Sequence, residues 1–385
     1  MTTILLAQRL SPLIARYQIS TPMFLGDASS DECAEKIRPS SLKGALRFWW
    51  RALNWGRVYS SCGKNTDTAL QQLHREEGVL FGLAAKTNGK EKVGGQSAFR
   101  LRIRDDQSKT GKEPVRGIPY LLGQGLTGKN KESHYLESGS DFTVCCYPSP
   151  QMSSEQSEQL EQALLCLGML GGLGARSRKG LGSLSIQELS GGRLAAPENR
   201  GEYIEVIQNL LKSVCVDLAV NEPPYSALSA LSRIDISSFQ KSPAELLTEY
   251  NNTLHEYRTW QTEKPNFKDD HDWAYNVANG KPINTLPQRT VFGLPHNYFL
   301  SKARQKVDVN ASTGRRATPL IAHVHLFKDG NTLLVQALLR STFLHRESAV
   351  NISSKRNRKA LPGEVDWCVI ERFMNQFGQR ETIHG

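Results

Sequence analysis

The chain has 385 residues, 39% hydrophobic and 22% charged, which suits two folded domains and excludes wholesale disorder. Lys and Arg number 48 against 38 Asp and Glu, a formal charge of +10 that favours an anionic partner, with nucleic acid heading the list. "MTTILLAQRL" lacks a signal-peptide core and no run approaches the roughly 20 apolar residues of a membrane span, so the expectation is a cytoplasmic protein with no membrane partner.

The first clear element is "ARYQISTPMFLG", a β-rich stretch closed by Pro22 and Gly26, followed by a polar loop through Cys33 and Glu35. A helix then opens at "RPSSLKGALRFWWRAL". On a wheel of 100° per residue, Leu42, Ala45, Leu46, Trp49, Ala52 and Leu53 fall on one arc, and Lys43, Arg47 and Arg51 on another. Within the helix no acid pairs with that row. Ser40 and Ser41 follow Pro39 at the helix start, where backbone N–H groups, hydroxyls and the positive end of the dipole converge as an anion site requires. Trp49 reads as core, and Trp50 borders the basic arc as a stacking surface or as partial core.

Polar residues 60 to 78 give way to "VLFG" and then to "QSAFRLRIR", a strand with Arg100, Arg102 and Arg104 on one face. A Gly- and Lys-rich loop leads to the strand "DFTVCCYPSP" and a helix with Leu160, Leu164, Leu167 and Leu170 at helical spacing. Gly168 to Gly182 follows, with six glycines and with Arg176, Arg178 and Lys179 among them. The loop lacks the G-K-[ST] ending of a phosphate loop and the third glycine of a dinucleotide fingerprint. A glycine-rich loop with three cations and no acid, between a helix and a strand, points to a polyanion. Strand, helix, strand, strand, helix, strand is the split βαβ order of ferredoxin-like domains.

A domain junction falls near 190, giving domains 1–190 and 191–385. In the second, "SPAELLTEYNNTLHEYRTW" is a helix with Ser242 as N-cap and Pro243 at its first position. "TPLIAHVHLFKDGNTLLVQALL" is a hairpin turning at Asp329-Gly330, and "EVDWCVIERFMNQF" a closing helix. His323 and His325 alternate on one strand face, a spacing that allows two metal ligands, but no nearby cluster completes a set. The seven cysteines, Cys33, Cys62, Cys145, Cys146, Cys166, Cys215 and Cys368, form no C-x-x-C pair and read as reduced thiols. The loop "SSKRNRKALPG", with Lys355, Arg356, Arg358 and Lys359, is a further nucleic-acid contact by composition or a plain basic surface.

The "RPSSLKGALRFWWRAL" helix followed by the "GGLGARSRKGLGSL" loop resembles the RAMP superfamily of CRISPR proteins. Within it, the helix resembles the family of first-numbered subunits of the type III-B Cmr effector complex. "YQISTPMFLG" and "RRATPLIAHVHLF" add to the similarity, whereas residues 190 to 285 match nothing recognisable. The resemblance implies an α+β fold of two ferredoxin-like, RRM-type domains in tandem, the second with helical insertions. It also implies a non-catalytic, cofactor-free subunit that caps a guide-RNA complex near the guide's 3′ end and helps capture target RNA beside other RAMP subunits. Its RNA-binding set here would be Ser40, Ser41, Lys43, Arg47, Arg51, Arg176, Ser177, Arg178 and Lys179. The alternative from the same superfamily is a metal-independent endoribonuclease that processes precursor guide RNA through His, Tyr or Ser.

Overall fold

The computed structural model describes residues 10–26, 36–88, 91–123, 126, 134–214, 221–259, 263–301 and 304–385; Cys33, Glu35, Cys215 and Trp260 lie outside them. The first half runs β1 (Leu13–Ile19), α1 (Pro39–Ser61), α2 (Thr66–Phe81), the hairpin β2 (Leu83–Asn88) and β3 (Glu91–Gly95), then β4 (Phe99–Asp105). It continues through β5 (Thr110–Gly111), α3 (Pro119–Leu122), β6 (Tyr135–Leu136), β7 (Asp141–Pro148), α4 (Ser154–Leu170) and β8 (Leu184–Ser190). Four of these strands form an antiparallel sheet in the order β4-β7-β1-β8. With α1 and α4 as its crossovers, this is the ferredoxin-like arrangement.

The second half runs α5 (Arg200–Ser213), β9 (Arg233–Phe239), α6 (Pro243–Arg258), α7 (Lys268–Ala278), β10 (His296–Leu300), β11 (Gln305–Ala311), β12 (Leu320–Leu326) and β13 (Thr332–Leu338). It closes with β14 (Ala349–Ser353), β15 (Arg358–Pro362), α8 (Cys368–Met374) and β16 (Arg380–His384). The sheet β12-β13-β9-β16 repeats the ferredoxin-like order, with α6 and α8 as its helices. An inserted sheet, β10-β11-β14-β15, stands beside it with α7.

Local chemistry sets these elements. β1 alternates buried Leu13, Ala15, Tyr17 and Ile19 with more exposed residues, the period of a sheet strand with its apolar face on the core. α4 and α6 each start with a capping box, Ser153 with Gln156 and Ser242 with Glu245, and Pro243 occupies the first turn of α6. The turn between β12 and β13 closes on Gly330, at φ 88°. Polar residues 60 to 78, which carry no periodic signal on inspection, contain most of α2, whose Ala69, Leu73, Leu80 and Phe81 are buried. Capped by Asn65, that helix lies against α1. α5, α7, β9 and β16 are likewise additions to the sequence reading.

The two ferredoxin-like sheets meet along a polar seam. Edge strand β12 presents backbone N–H groups that a bare edge would leave unpaired, and side chains of β8 and the preceding loop meet them. The Val324 N–H donates to Ser183 Oγ at 3.1 Å, the Leu326 N–H to Ser185 Oγ at 2.7 Å, and Gln187 Nε2 to the Leu326 carbonyl at 2.9 Å. The Ala322 N–H donates to the Arg178 carbonyl at 3.0 Å. Apolar packing surrounds these bonds, since one buried cluster contains Ile186 and Leu167 together with Ile321, Leu333 and Val335. Among the described residues no helix is long and apolar enough to cross a membrane.

His323 and His325 are buried in this seam, their ring centroids 5.7 Å apart, and His323 Nδ1 lies 2.8 Å from the Gly171 carbonyl. Tyr203 of α5 packs edge-on against His325. Among the described residues no third His, Cys, Asp or Glu joins the pair into a metal-sized cluster. Burial lowers His323 from 6.5 to about 4 and pushes His325 well below its ordinary value. The unfolded chain therefore binds more protons between those limits, and stability is lost as pH falls from about 6.5 through about 4. His323 alone should contribute about 3 kcal/mol to that loss. Denaturant unfolding at stepped pH checks this; His323→Gln, which keeps a donor for Gly171, should flatten the dependence, and an unchanged profile would remove the histidine from it.

Candidate nucleic-acid interface

α1 begins without a side-chain cap: Pro39 takes its first turn, no acid occupies that turn, and the 23-residue helix directs its positive end outward at exposed Ser40 and half-buried Ser41. Leu42, Leu46, Trp49 and Leu53 bury its inner face. Trp50 is core as well, fully buried with its indole N–H on Gln159 Oε1 at 3.0 Å, and offers no stacking surface.

The cationic row is paired in the folded chain. Glu77 of α2, almost fully buried, lies 3.3 Å from Arg47 and 3.1 Å from Arg51. Arg47 also donates to the Phe81 carbonyl at 3.2 Å and to that of Gly82, closing the C-terminal end of α2. Lys43 stands 5.5 Å over the Phe99 ring of β4, and burial, with Arg47 beside it, lowers its pKa. The expectation of unopposed cations on a solvated face is thus corrected for Arg47 and Arg51. Their acid comes from a helix that the polar sequence concealed.

The glycine-rich loop is built into the seam. Thr21 Oγ1 donates to the Gly180 carbonyl at 2.6 Å and accepts from the Ser183 N–H at 2.9 Å, while Ser183 Oγ donates to the same Gly180 carbonyl at 3.0 Å. Two glycines are required sterically. At φ +61° a Cβ on Gly182 would lie 2.0 Å from the Leu173 carbonyl oxygen, and one on Gly174, at φ +88°, 2.4 Å from that of Phe24. The intervening turn, in which the Lys179 N–H donates to the Arg176 carbonyl at 2.8 Å, presents Arg176 exposed and Ser177, Arg178 and Lys179 half-buried.

Cations from both halves converge there. Arg178 lies 4.9 Å over the Phe48 ring of α1 and donates to the Thr318 carbonyl at 2.5 Å; burial and nearby Arg316 lower it to about 10, so it stays charged at neutral pH. Lys179 lies over Tyr120 at 5.8 Å, and burial with Arg258 and Arg176 nearby lowers it to about 8. Arg258 spans Tyr120 and Phe292 and reaches His296 Nε2 at 3.4 Å. Burial pushes His296 far down, and Arg258, Arg289 and Lys179 add to the effect. Arg289 has Asp270 at 3.2 Å. Among the described residues, Arg176, Arg178, Lys179, Arg258 and Arg316 make no ion pair with Asp or Glu. A cluster of neighbouring cations without counter-charge among the described residues is suited to hold an anion.

The structure therefore divides the sequence set. Phe48, and with it Ser41 and Ala45 on the same helix face, adjoins the loop, whereas Lys43 and Arg47 point about 100–140° away around the axis. Arg258, His296 and Tyr120 escaped sequence reasoning because each sits in an ordinary local context: a basic last turn, a strand start and a short helix.

Residues 16–185 match the family model for the RAMP superfamily. The likeness to the RAMP superfamily is thus a property of this stretch. Over 304 residues the chain is 26% identical to the CRISPR system Cmr subunit Cmr1-1 of Pyrococcus furiosus, covering 74% of this chain and 75% of that one. Its fold is similar to the crystal structure of apo Cmr1 from Pyrococcus furiosus, with TM-score 0.61 at 20% identity over 97% of this chain and 99% of that one. It is also similar to a chain of the type III-B Cmr-beta structure bound to cognate target RNA and AMPPnP in the presence of ssDNA, with TM-score 0.50 at 12% identity over 96% and 100% of the two chains. The RAMP stretch contains α1 and the glycine-rich turn, while Arg258 and Arg316 lie beyond it.

Removing the acid between α1 and α2 tests the structural role of the row. Glu77→Gln should lower unfolding stability by about 2 kcal/mol, discounted because both guanidiniums reach solvent, while Lys43→Ala should change it little. Equal stability of Glu77→Gln and the parent in denaturant melts would show that the pairing holds nothing together.

Proposed function

We propose that the protein is a non-catalytic guide-RNA-binding subunit of a type III-B CRISPR (Cmr) interference complex, with residues 1–190 and 191–385 as its two domains. It caps the complex near the 3′ end of the guide and helps capture target RNA beside other RAMP subunits. The observation that carries the RNA-binding part is the acid-free cluster of Arg176, Arg178, Lys179, Arg258 and Arg316 on a pre-ordered seam, next to the uncapped start of α1. The similarity to Cmr1 supports the place in a complex.

Phosphates held at this cluster would relieve its self-repulsion, so affinity should depend on salt and little on sequence. Replacing Arg176, Arg178 and Lys179 by Ala should weaken binding of unrelated single-stranded RNAs and lower the log–log salt slope by roughly 0.7 per lost phosphate contact. Melting temperature should be followed in parallel, because Arg178 also holds Thr318. An unchanged slope would take the loop out of the site.

A pH titration reports on Lys179 separately. In the free protein its ammonium loses its proton as pH rises through about 8, and bound phosphate favours the charged form. RNA affinity should therefore fall between pH 7 and pH 9, by up to about tenfold per unit above the free pKa. Lys179→Arg, charged throughout, should abolish the fall; a fall that persists in that variant would place the titrating group elsewhere.

The ribonuclease reading would draw on His296, the imidazole beside these cations, although the burial and charges that keep it neutral also weaken it as a base for a 2′-hydroxyl. Site-specific cleavage of repeat RNA by the isolated protein, lost in His296→Ala, would replace the non-catalytic reading.

A further inference from the structure

The inserted sheet β10-β11-β14-β15 has two unlike faces. Tyr298, Leu300, Val307, Val309, Val350 and Ile352 point inward to the core beneath α7. The antiparallel register places Asn297, Phe299, Lys306, Asp308, Asn310, Asn351, Ser353 and Arg358 together on the opposite face. That face is mostly exposed, with Asp308, Asn310 and Ser353 half-buried; it is rich in side-chain amides and carries Phe299, 71% exposed, at one edge. Its acid, Asp308, is already paired with Lys306 at 2.8 Å.

The other edge runs into the basic hairpin. Lys355, Arg356, Arg358 and Lys359 are all exposed and make no ion pair among the described residues. Their tip is held in place: Ser354 Oγ donates to the Val277 carbonyl at 3.2 Å, Asn357 Nδ2 to the Lys281 carbonyl at 2.6 Å, and the Ser354 N–H to the Asn357 carbonyl at 2.8 Å. Exposed Lys281 joins the same tip. The charges are thus presented on an ordered support.

We propose that this outer sheet face and its basic hairpin form a second single-stranded RNA surface, on which a base stacks on Phe299, side-chain amides meet neighbouring bases, and Lys355, Arg356 and Arg358 hold phosphates. The proposal deepens the RNA-binding reading above and rests on it. An open sheet face offering an aromatic ring, amides and cations is the equipment that reads unstacked single strands. Three strand spacings and two residues separate Phe299 from Arg358, about 16 Å, a reach of a few nucleotides. Along another rung, His296 of the central cluster is in register with Val309, Ile352 and Lys359, so the same strands lead from the cation cluster to the hairpin.

Cations on an edge strand such as β15 also prevent edge-to-edge pairing, and that role alone would predict self-association and not RNA loss on neutralisation. The test uses full-length protein and a long oligouridylate. Phe299→Ala should weaken binding roughly tenfold with the salt slope unchanged, and Phe299→Trp should restore it. Arg356→Gln with Arg358→Gln should lower the slope by about 1.4. Wild-type affinity and slope in all these variants, while the Arg176, Arg178 and Lys179 substitutions still weaken binding, would overturn the second surface and leave the central site standing. Loss of a protein partner without loss of RNA, or self-association alone, would overturn it equally. Oligouridylate that fails to bind the parent protein would remove both sites together.

Discussion

The structure depends on one polar seam inside an otherwise apolar junction. β12 is an edge strand facing another edge strand, β8, and the serine hydroxyls of Ser183 and Ser185 take the backbone N–H groups that would otherwise be buried unpaired. Each such unpaired group costs on the order of 1–3 kcal/mol, so register between the two halves is set as firmly by these bonds as by the packing around them. The glycine-rich loop enters the seam directly before β8, and its position follows. Its backbone is held by Thr21, Ser183 and β12, leaving side chains at its turn as the freer part. The site is therefore ordered before any ligand arrives, which lowers the entropic cost of binding.

Charge in this fold serves two separate ends. Arg47 and Arg51 close on Glu77 and fasten α2 to α1. Among the described residues Arg178, Lys179, Arg258 and Arg316 pair with no acid; burial is the main cause of the lowered pKa values of Arg178 and Lys179, and the neighbouring cations Arg316 and Arg258 add to it. Holding like charges together lowers stability, and a bound polyanion would offset the repulsion. Pairing or its absence, more than the number of cations, separates the charges that fasten helices here from those proposed to bind.

How far this was legible in the sequence varies by element. The first ferredoxin-like order, the hairpin at Gly330 and the capped helices followed from local periodicity and caps, because each signal lies within a few residues, whereas the second ferredoxin-like order was implied only by the family resemblance. α2 stayed hidden because its polar residues outnumber a narrow apolar stripe of Ala69, Leu73 and Leu80. β9 stayed hidden because both its faces are covered, so that Asp235 is buried, held by Arg233 at 2.7 Å and Thr382 at 2.8 Å, where alternation predicts exposure. For the site, Arg176, Arg178 and Lys179 stood out in sequence; their companions Arg258 and Arg316 are brought in by the fold across a long separation that no local motif encodes. The same limit applies to Glu77, whose role exists only once α2 packs on α1.

The central claim is that RNA lies on the seam between the two halves. Photo-crosslinking of a thiouridine-substituted RNA to the full-length protein, with the linked peptides mapped by mass spectrometry, tests it most directly. The account predicts links in the first turns of α1, in the turn from Gly174 to Gly180, and in the segments bearing Arg258 and Arg316. Links confined to surfaces remote from the seam, such as the outward side of α2 around Gln71 and Arg75, would contradict it.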